Sequence, residues 1–348
     1  MSLHIEKAVA LFDSLRASVL PTSLPQPVGA RNTGLVEAWQ TWLSKYPDGR
    51  GAAAMNDWMN SVQCRLDDAI GLFRHALQGD PGWQKGRAAI AGGERGETAV
   101  ITMGAAPLMF WSRQHILIES TPALEQLLVH SDIGEDLPVN LFRAPAPACF
   151  LRFGQIFQDG LVSAPEHQQS HKRRLTGVYV FDGRNQNTRS IDLVCVFLLP
   201  AAGIYSLRTI ELVFHDENES VLAQIRRACQ NAELEPHLVS IAQSVAKVFF
   251  YMQQPGAHQV EERQYSATLA QLVQRGSRKA AKLSRKVMRL YDRVVIGPAG
   301  FVHPPHGELS PHLRRGHFRL QPYGPESSLR KVIFLAPTWV RGDRLLNN

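Results

Sequence analysis

Cysteine is scarce in this sequence, and its few cysteines lie far apart. The 348 residues include four of them, Cys64, Cys149, Cys195 and Cys229, and no two form a C-x-x-C pair. Disulfide-rich domains carry many cysteines within a short chain, and zinc ribbons carry C-x-x-C pairs. The spacing therefore argues against those two classes and predicts free, mostly buried thiols in a reducing cytosol.

Long hydrophobic runs are also missing. The longest apolar stretch, residues 193–205, is too short to cross a bilayer and contains Pro200. The N-terminal stretch MSLHIEKAVALFDSLR is charged and amphipathic, without the three regions of a secretory signal. Together these observations predict a cytoplasmic protein with no membrane partner.

The common catalytic and nucleotide-binding signatures are absent as well. The sequence contains no H-E-x-x-H, G-x-S-x-G, Walker or dinucleotide-binding motif. The glycine-rich piece GGERG at 92–96 precedes the apolar run TAVITM, whereas a phosphate-binding loop follows its strand and ends in Lys-Ser/Thr. We therefore interpret this piece as a turn before a strand, and we predict no cofactor.

Acidic residues are scarce in only one part of the chain. The formal charge is +7, yet residues 261–348 hold 16 Lys and Arg against 6 Asp and Glu. The first 260 residues hold 22 against 25, so the positive charge is confined to the C-terminal quarter. A surface polarised in this way suits an anionic partner, and we predict nucleic acid or an acidic protein surface.

Hydrophobic periodicity separates helical from strand-rich segments. Apolar residues at three-and-four spacing predict helices over 4–16, 35–46, 55–78, 219–231 and 237–253. β-branched and aromatic runs predict strands at 148–153, 175–181, 191–199 and 207–214. Short loops between these strands favour an antiparallel meander. The predicted fold class is α+β, with a helical N-terminal region, a central antiparallel sheet flanked by helices, and a C-terminal basic β-hairpin.

The same patterns divide the chain into three regions. We place a helical N-terminal region at 1–95 and the central sheet with its packed helices at 96–260. The third region, 261–348, is predicted to contain a basic helix followed by the C-terminal hairpin. This division puts most of the excess positive charge on one region.

The basic helix, predicted over about 261–295, carries its cations on one stripe. Five basic residues recur at helical spacing: Arg278, Lys282, Arg285, Arg289 and Arg293. Apolar residues form the opposite stripe: Leu283, Val287, Leu290 and Tyr291. Such a helix can face phosphates and bind nucleic acid with sequence-independent, salt-sensitive affinity. Neutralisation of the stripe by acidic groups elsewhere in the fold is the alternative.

The C-terminal hairpin is predicted from the stretch HLRRGHFRLQPYG at 312–324, its partner LRKVIFLAPTWV at 329–340 and the loop 323–328. Alternation puts four polar side chains on one face of the first strand: Arg315, His317, Arg319 and Gln321. Phe318 and Leu320 share the other face and would pack on the core. Guanidinium groups bind phosphates and carboxylates through paired hydrogen bonds. The predicted anion-binding residues of the hairpin are Arg314, Arg315, His317 and Arg319.

Two histidines of this stretch raise the question of catalysis. His312 and His317, assisted by Arg315, could act as a general acid–base pair in RNA cleavage near neutral pH. A separation of five residues puts them on opposite faces of a regular strand. Gly316 weakens a strand interior, so it indicates a bulge or a close backbone approach, and such a bulge would be needed to bring the histidines together.

A metal site is a further alternative for the same region. Its ligands would be His303, His306, His312 and His317. No cysteine or carboxylate cluster accompanies these histidines, and two prolines hold the first pair in an extended loop. We therefore predict no metal.

The C-terminal motif resembles the signature of a known family. His-x-Arg-Arg-Gly-His at 312–317 is followed by an aromatic residue, a glycine-containing turn, a basic and apolar strand, and Pro-x-x-Val at 337–340. This arrangement is similar to that of the type V-A anti-CRISPR protein 2 family of phages and plasmids. The resemblance is strongest over 310–343, continues more weakly through the central strands and the helix VSIAQSVAKVFFYM, and does not include the first hundred residues.

The resemblance implies a function in the host bacterial cytosol. Members suppress production of the type V-A CRISPR effector nuclease by recognising its nascent N-terminal peptide and bringing about loss of its mRNA. The implied partners are that peptide together with the mRNA or the ribosome. Two alternatives remain open: an accessory nucleic-acid-binding protein of a phage or plasmid without a CRISPR role, and a ribonuclease that uses the cluster of His312, His317 and Arg315.

Overall fold

The computed structural model describes most of the chain. The described residues are 11–20, 24–45, 49–90, 93–162, 173–185, 188–199, 202–230, 236–254, 256–257, 259–264, 275–276, 278, 291–300 and 312–340.

The N-terminal region is helical, as its periodicity predicts. The helices are α1 Leu11–Ser18, α2 Gln26–Asn32, α3 Leu35–Ser44, α4 Gly49–Asn60, α5 Leu66–Gln78, α6 Pro81–Gly86 and α7 Gly93–Ser112. Helix α7 is the longest of them among the described residues and packs against α1 to α5. It therefore lies at the centre of this helical layer.

The glycine-rich piece before TAVITM is not a turn, and the run is not a strand. Residues 93–96 of the piece and the whole run lie inside α7, which begins at Gly93, and residue 92 lies outside the described residues. Residues 101–110 of α7 are buried without interruption. A helix that is buried all round loses its 3.6-residue alternation, so its apolar run looks like a buried strand. The sequence prediction is wrong here for that reason.

The rest of the chain alternates strands with helices. The strands are β1 His115–Ser120, β2 Ser131–Ile133, β3 Ala148–Arg152, β4 Arg174–Asn185, β5 Thr188–Leu199, β6 Ile204–Phe214, β7 Gln259–Gln264, β8 Tyr291–Ile296, β9 His312–Arg314, β10 Gly316–Tyr323, β11 Leu329–Leu335 and β12 Thr338–Val340. The helices are α8 Pro122–Val129, α9 Gln155–Val162, α10 Val221–Gln230 and α11 Pro236–Met252.

The central sheet has the order β6-β5-β4-β3-β1-β8-β7. The predicted meander is confirmed, because β3, β4, β5 and β6 pair antiparallel in sequence order. The sheet as a whole is mixed, since β1 pairs in parallel with both β3 and β8. Parallel pairing joins strands that are distant in sequence, and local patterns do not encode it. The α+β class is confirmed, and the wholly antiparallel sheet is corrected to a mixed one.

The basic helix predicted over 261–295 is wrong at both ends. Residues 259–264 and 291–296 form strands β7 and β8, which pair antiparallel at the edge of the central sheet. Val294, Val295 and Ile296 favour a strand because β-branched side chains fit a pleated surface. Lys282, Arg285 and Arg289 lie outside the described residues. Of the predicted stripe residues that the structure describes, only Arg278 lies in a helix.

Two hydrophobic cores lie on opposite faces of the sheet. Phe150 and Tyr179 belong to the core shared with the N-terminal helices, whereas Cys149 and Val178 belong to the core shared with α8, α10, α11 and the C-terminal hairpin. The prediction that the thiols are free and mostly buried is confirmed, because all four cysteines are free and buried. Within the described part of the chain, no helix is long and apolar enough to cross a membrane.

Candidate functional site

The C-terminal hairpin forms as predicted and adds a docking contact that the sequence did not indicate. Strands β10 and β11 pair antiparallel from His317↔Leu335 to Tyr323↔Leu329. On its other side β10 pairs in parallel with the short strand β2, in a sheet of order β11-β10-β2. The hairpin is thereby fixed to the segment that follows α8, about 180 residues earlier in the chain.

Phe318 anchors the hairpin to the core. Its side chain is 0% exposed, and its ring stacks on that of Phe334 with centroids 4.5 Å apart. The ring of Phe250 on α11 lies 5.9 Å away on the core side. Leu320, two residues further, packs against the same core. The predicted inward face is confirmed for both residues.

Gly316 lies where three groups converge. A Cβ built on this residue would lie 2.5 Å from Ser131 Oγ, 2.6 Å from Pro337 Cδ and 2.7 Å from the carbonyl oxygen of Leu335. The sequence predicted a bulge or a close backbone approach, and the close approach is confirmed. The strand is also interrupted beside it, because Arg315 separates β9 from β10.

We expect Gly316→Ala to destabilise the protein by about 1–3 kcal/mol, because the methyl group overpacks a site that includes a backbone oxygen. Urea unfolding would measure the change. Gly71→Ala is the matched control, since a Cβ at Gly71 of α5 meets nothing within 4 Å. The control should be neutral or stabilising by about 1 kcal/mol at most. Equal destabilisation of the two variants would contradict the close packing around Gly316.

The cations of the hairpin lie on its solvent side. Arg314, Arg315 and Arg319 are exposed, and His317 is half-buried. Arg315 has an anionic partner inside the protein, because its guanidinium lies 3.1 Å from Asp132 Oδ1 on β2. Both side chains of that pair are more than half exposed, so the pair contributes little stability and leaves Arg315 accessible.

Arg319 differs from Arg315 in its partner. Its guanidinium donates to Gln321 Oε1 at 3.0 Å, on the same face of β10. The amide carries no charge and leaves the positive charge of Arg319 uncompensated in this contact. The sequence predicted these residues as one anion-binding face, and the geometry places Arg319 and Gln321 side by side there.

Lys247 of α11 lies buried beneath the hairpin. Its Nζ donates to the carbonyl oxygen of Leu128 at 3.0 Å, and the residue is only 9% exposed. Burial lowers the pKa of Lys247 to about 8, against an opposing effect of Asp132 and with a further lowering by Arg315. The sequence VSIAQSVAKVFFYM gives no sign that its lysine lies under another element, so Lys247 was not among the predicted site residues.

The structure describes two of the four histidines of the predicted cluster. His317 lies on β10, whereas the backbone of His312 lies on β9, across the interruption at Arg315. His303 and His306 lie outside the described residues. Among the residues that the structure describes, no group of three or more His, Cys, Asp and Glu side chains could hold a metal ion.

Arg293 lies on a strand and not on the helix to which the sequence pattern assigned it. It lies on β8, and its guanidinium pairs with Glu119 of β1. Arg152 of β3 lies 3.1 Å from the other oxygen of the same carboxylate. Glu119 thus joins three neighbouring strands through two cations.

Arg278, the other described residue of the predicted stripe, is exposed.

A cleft of about 500 Å³ opens beside Glu119. It lies where the parallel strands β1 and β3 end, and Arg152, Arg174 and Gln158 also line it. Clefts at the carboxyl ends of parallel strands are common ligand sites. A wholly antiparallel sheet, which the sequence pattern predicts, has no such edge, so the pattern gives no sign of this cleft.

The fold and the hairpin define a class of protein. It is an α+β protein in which a mixed sheet carries helices on both faces and a core-anchored basic hairpin faces solvent. The AcrVA2-like family model, described as "Anti-CRISPR type V subtype A2 family", matches residues 118–342, which is more than half of the chain. The chain therefore belongs to the AcrVA2-like family of anti-CRISPR proteins, and the resemblance found in the sequence is confirmed.

The other comparisons add little to this assignment. The crystal structure of AcrVA2 covers 83% of this chain and 98% of its own, at 10% sequence identity and a TM-score of 0.40. No curated protein matches this sequence at a significant level. The assignment therefore comes from the family match, which begins within β1 and includes the whole hairpin.

Proposed function

We propose that this protein suppresses production of a type V-A CRISPR effector nuclease by recognising the nascent N-terminal peptide of that nuclease and causing loss of the mRNA under translation. Membership in an anti-CRISPR family supports a partner within a CRISPR system. The observation that carries the proposal is the hairpin: it lies inside the matched region, is anchored by Phe318, and turns Arg319 to solvent.

The positive charge of the hairpin suits a protein that acts beside ribosomal RNA and mRNA. A nascent peptide emerges beside ribosomal RNA, and the mRNA is a polyanion as well. Strands β10 and β11 contain Arg319, Arg330, Lys331 and His317 and no acidic residue. Exposed cations accelerate association with an anionic partner through long-range attraction. The basic surface would bring the protein to the translating complex, and peptide contacts would select the message.

A reporter experiment separates recognition of peptide from recognition of RNA. The first codons of the nuclease gene are fused to a fluorescent protein, and mRNA is quantified with and without this protein. In a second reporter every codon is changed to a synonym, which keeps the peptide and alters the RNA. In a third, paired frameshifts keep nearly all of the RNA and alter the peptide.

We expect the mRNA of the first two reporters to fall at least fivefold and that of the third to stay unchanged, because the peptide is the recognised feature. An Arg319→Ala variant serves as the matched control and should lose the effect on the first two reporters. Loss of the frameshifted mRNA together with survival of the recoded one would show that RNA sequence is recognised, and the proposal would then be wrong.

A further inference from the structure

Strand β11 is the edge of the three-stranded sheet β11-β10-β2, and the directions of its backbone groups follow from its neighbours. The amide of Gly316 donates to the carbonyl of His130, and the carbonyl of Phe318 accepts from the amide of Gly134, both at 2.9 Å. The backbone N–H and C=O groups of the even-numbered residues of β10 therefore point toward β2. Those of the odd-numbered residues form hydrogen bonds with β11. Pro322 fits this pattern, because an even-numbered residue needs no amide for the hairpin.

The pairing register shows which backbone groups of β11 point toward β10 and which point away from it. Even residues of β10 lie opposite even residues of β11, as in Phe318↔Phe334 and Leu320↔Val332. The backbone groups of Arg330, Val332 and Phe334 consequently point away from the hairpin, toward the open edge. Phe334 supports this independently, since its amide donates to Gln254 Oε1 of the segment after α11, at 3.1 Å.

The outward groups at Arg330 and Val332 have no such partner. In the part of the chain that the structure describes, no hydrogen bond reaches the backbone N–H or C=O of either residue from the open side. Gln254 accepts from the amide of Phe334, so the unpaired part of the edge lies at Arg330, which is exposed, and at Val332, which is 8% exposed. Unpaired edges of this kind accept another extended chain, and natural proteins usually block them.

The side chains around this edge indicate what kind of chain would fit. Leu329 and Leu335 are exposed on the outer face of β11, and Tyr323 is exposed on β10 opposite Leu329. Lys331 lies between the two leucines, with its ammonium 5.3 Å from the ring of Tyr323. Because β10 and β11 contain no Asp or Glu, an apolar strand that carries carboxylates would complement them.

We propose that β11 is a docking edge for an extended, acidic and apolar segment of a partner polypeptide, which adds to the sheet as a further strand and pairs with the backbone of Arg330 and Val332. The inference rests on the proposed function only in taking a polypeptide as the partner. Backbone hydrogen bonds supply sequence-tolerant affinity in this mode, and side-chain contacts with Leu329, Lys331 and Leu335 supply selectivity.

The probe is a phage-displayed library of random nine-residue peptides, selected on the full-length protein and then resynthesised with a fluorescent label. We expect the selected peptides to be rich in acidic and β-branched residues. Each amide of the best peptide is then methylated in turn. Methylation at every second position should weaken binding at least tenfold, because those amides face β11, and the intervening positions should change it less than threefold.

Two protein variants test the same edge from the other side. Arg330→Pro removes one outward amide and spares the bonds between β10 and β11, so it should weaken peptide binding at least tenfold with little change in melting temperature. Arg330→Ala is the matched control: it keeps the amide, removes the charge, and should weaken binding less than threefold. Lys331→Pro removes an inward amide and should instead lower the melting temperature.

The outcomes separate this inference from the proposed function. Selected peptides without the alternating effect of methylation would bind elsewhere and would overturn the docking edge. A library that yields no binder, while a labelled single-stranded RNA binds and loses affinity in Lys331→Ala, would make the hairpin an RNA surface and overturn it too. If selected peptides show the alternation but the N-terminal peptide of the nuclease does not bind, the edge stands and the proposed partner is wrong.

Discussion

Replacement of Phe318 by alanine is expected to lower the free energy of unfolding by about 3–5 kcal/mol. The ring is fully buried between the rings of Phe334 and Phe250. Its removal costs the transfer free energy of the lost atoms and leaves a cavity that these rigid neighbours fill poorly. Urea unfolding followed by near-ultraviolet circular dichroism would measure the change, because the hairpin shares its aromatic cluster with α11.

The arginines on the opposite face provide the matched control. Arg319→Ala and Arg315→Ala should each change the free energy of unfolding by less than about 0.5 kcal/mol, because both side chains are exposed and an exposed ion pair contributes little. Both should abolish the effect on the reporter mRNA. If the arginine variants unfold easily while Phe318→Ala stays stable, the cations are structural. If neither arginine variant changes activity, the hairpin is not the working surface.

The second large effect is a dependence of stability on pH that Lys247 controls. Its pKa is about 8 in the folded protein, against an ordinary value of 10.5. Below pH 8 the lysine is charged in both states, and the folded state bears the cost of burying that charge. Between pH 8 and 10.5 the unfolded chain keeps the proton that the folded protein releases. Stability attributable to Lys247 therefore rises with pH in this window, by about 3 kcal/mol.

The variant Lys247→Met isolates this contribution, because methionine has a similar length and no titratable group. The free energies of unfolding of the wild type and the variant would be measured from pH 7 to 10.5, and their difference removes the titration of all other groups. The wild type should gain on the variant by about 3 kcal/mol across this range. A difference that does not vary with pH would mean that Lys247 titrates at its ordinary value.

The hairpin shows which features of the structure a local sequence pattern can predict. Alternation alone predicted that Phe318 faces the core and Arg319 faces solvent, because a strand must turn successive side chains to opposite faces. The pattern gave no sign of β2 or Asp132, which reach the hairpin from the segment after α8. A three-residue strand carries too little periodicity to be recognised, and an ion pair across 183 positions leaves no local trace.

The two wrong segments share one cause. The apolar run TAVITM of α7 has the pattern of a strand because complete burial removes its helical alternation. The ends of the predicted basic helix proved to be β7 and β8, because the edge of the central sheet offers them partners and Val294, Val295 and Ile296 accept that pairing. In both cases tertiary contacts outweighed the local preference, which amounts to only a few tenths of a kcal/mol per residue.

By itself the sequence determined the α+β class, the antiparallel meander, the buried free thiols, the polarised charge and the family, because each of these depends on residue types at short spacing. Only the tertiary structure decided the parallel pairing of β1, the joining of Arg293 and Arg152 by Glu119, the burial of Lys247 and the unpaired edge at Arg330 and Val332. These features need groups that are distant along the chain to meet, and only the packed core brings them together.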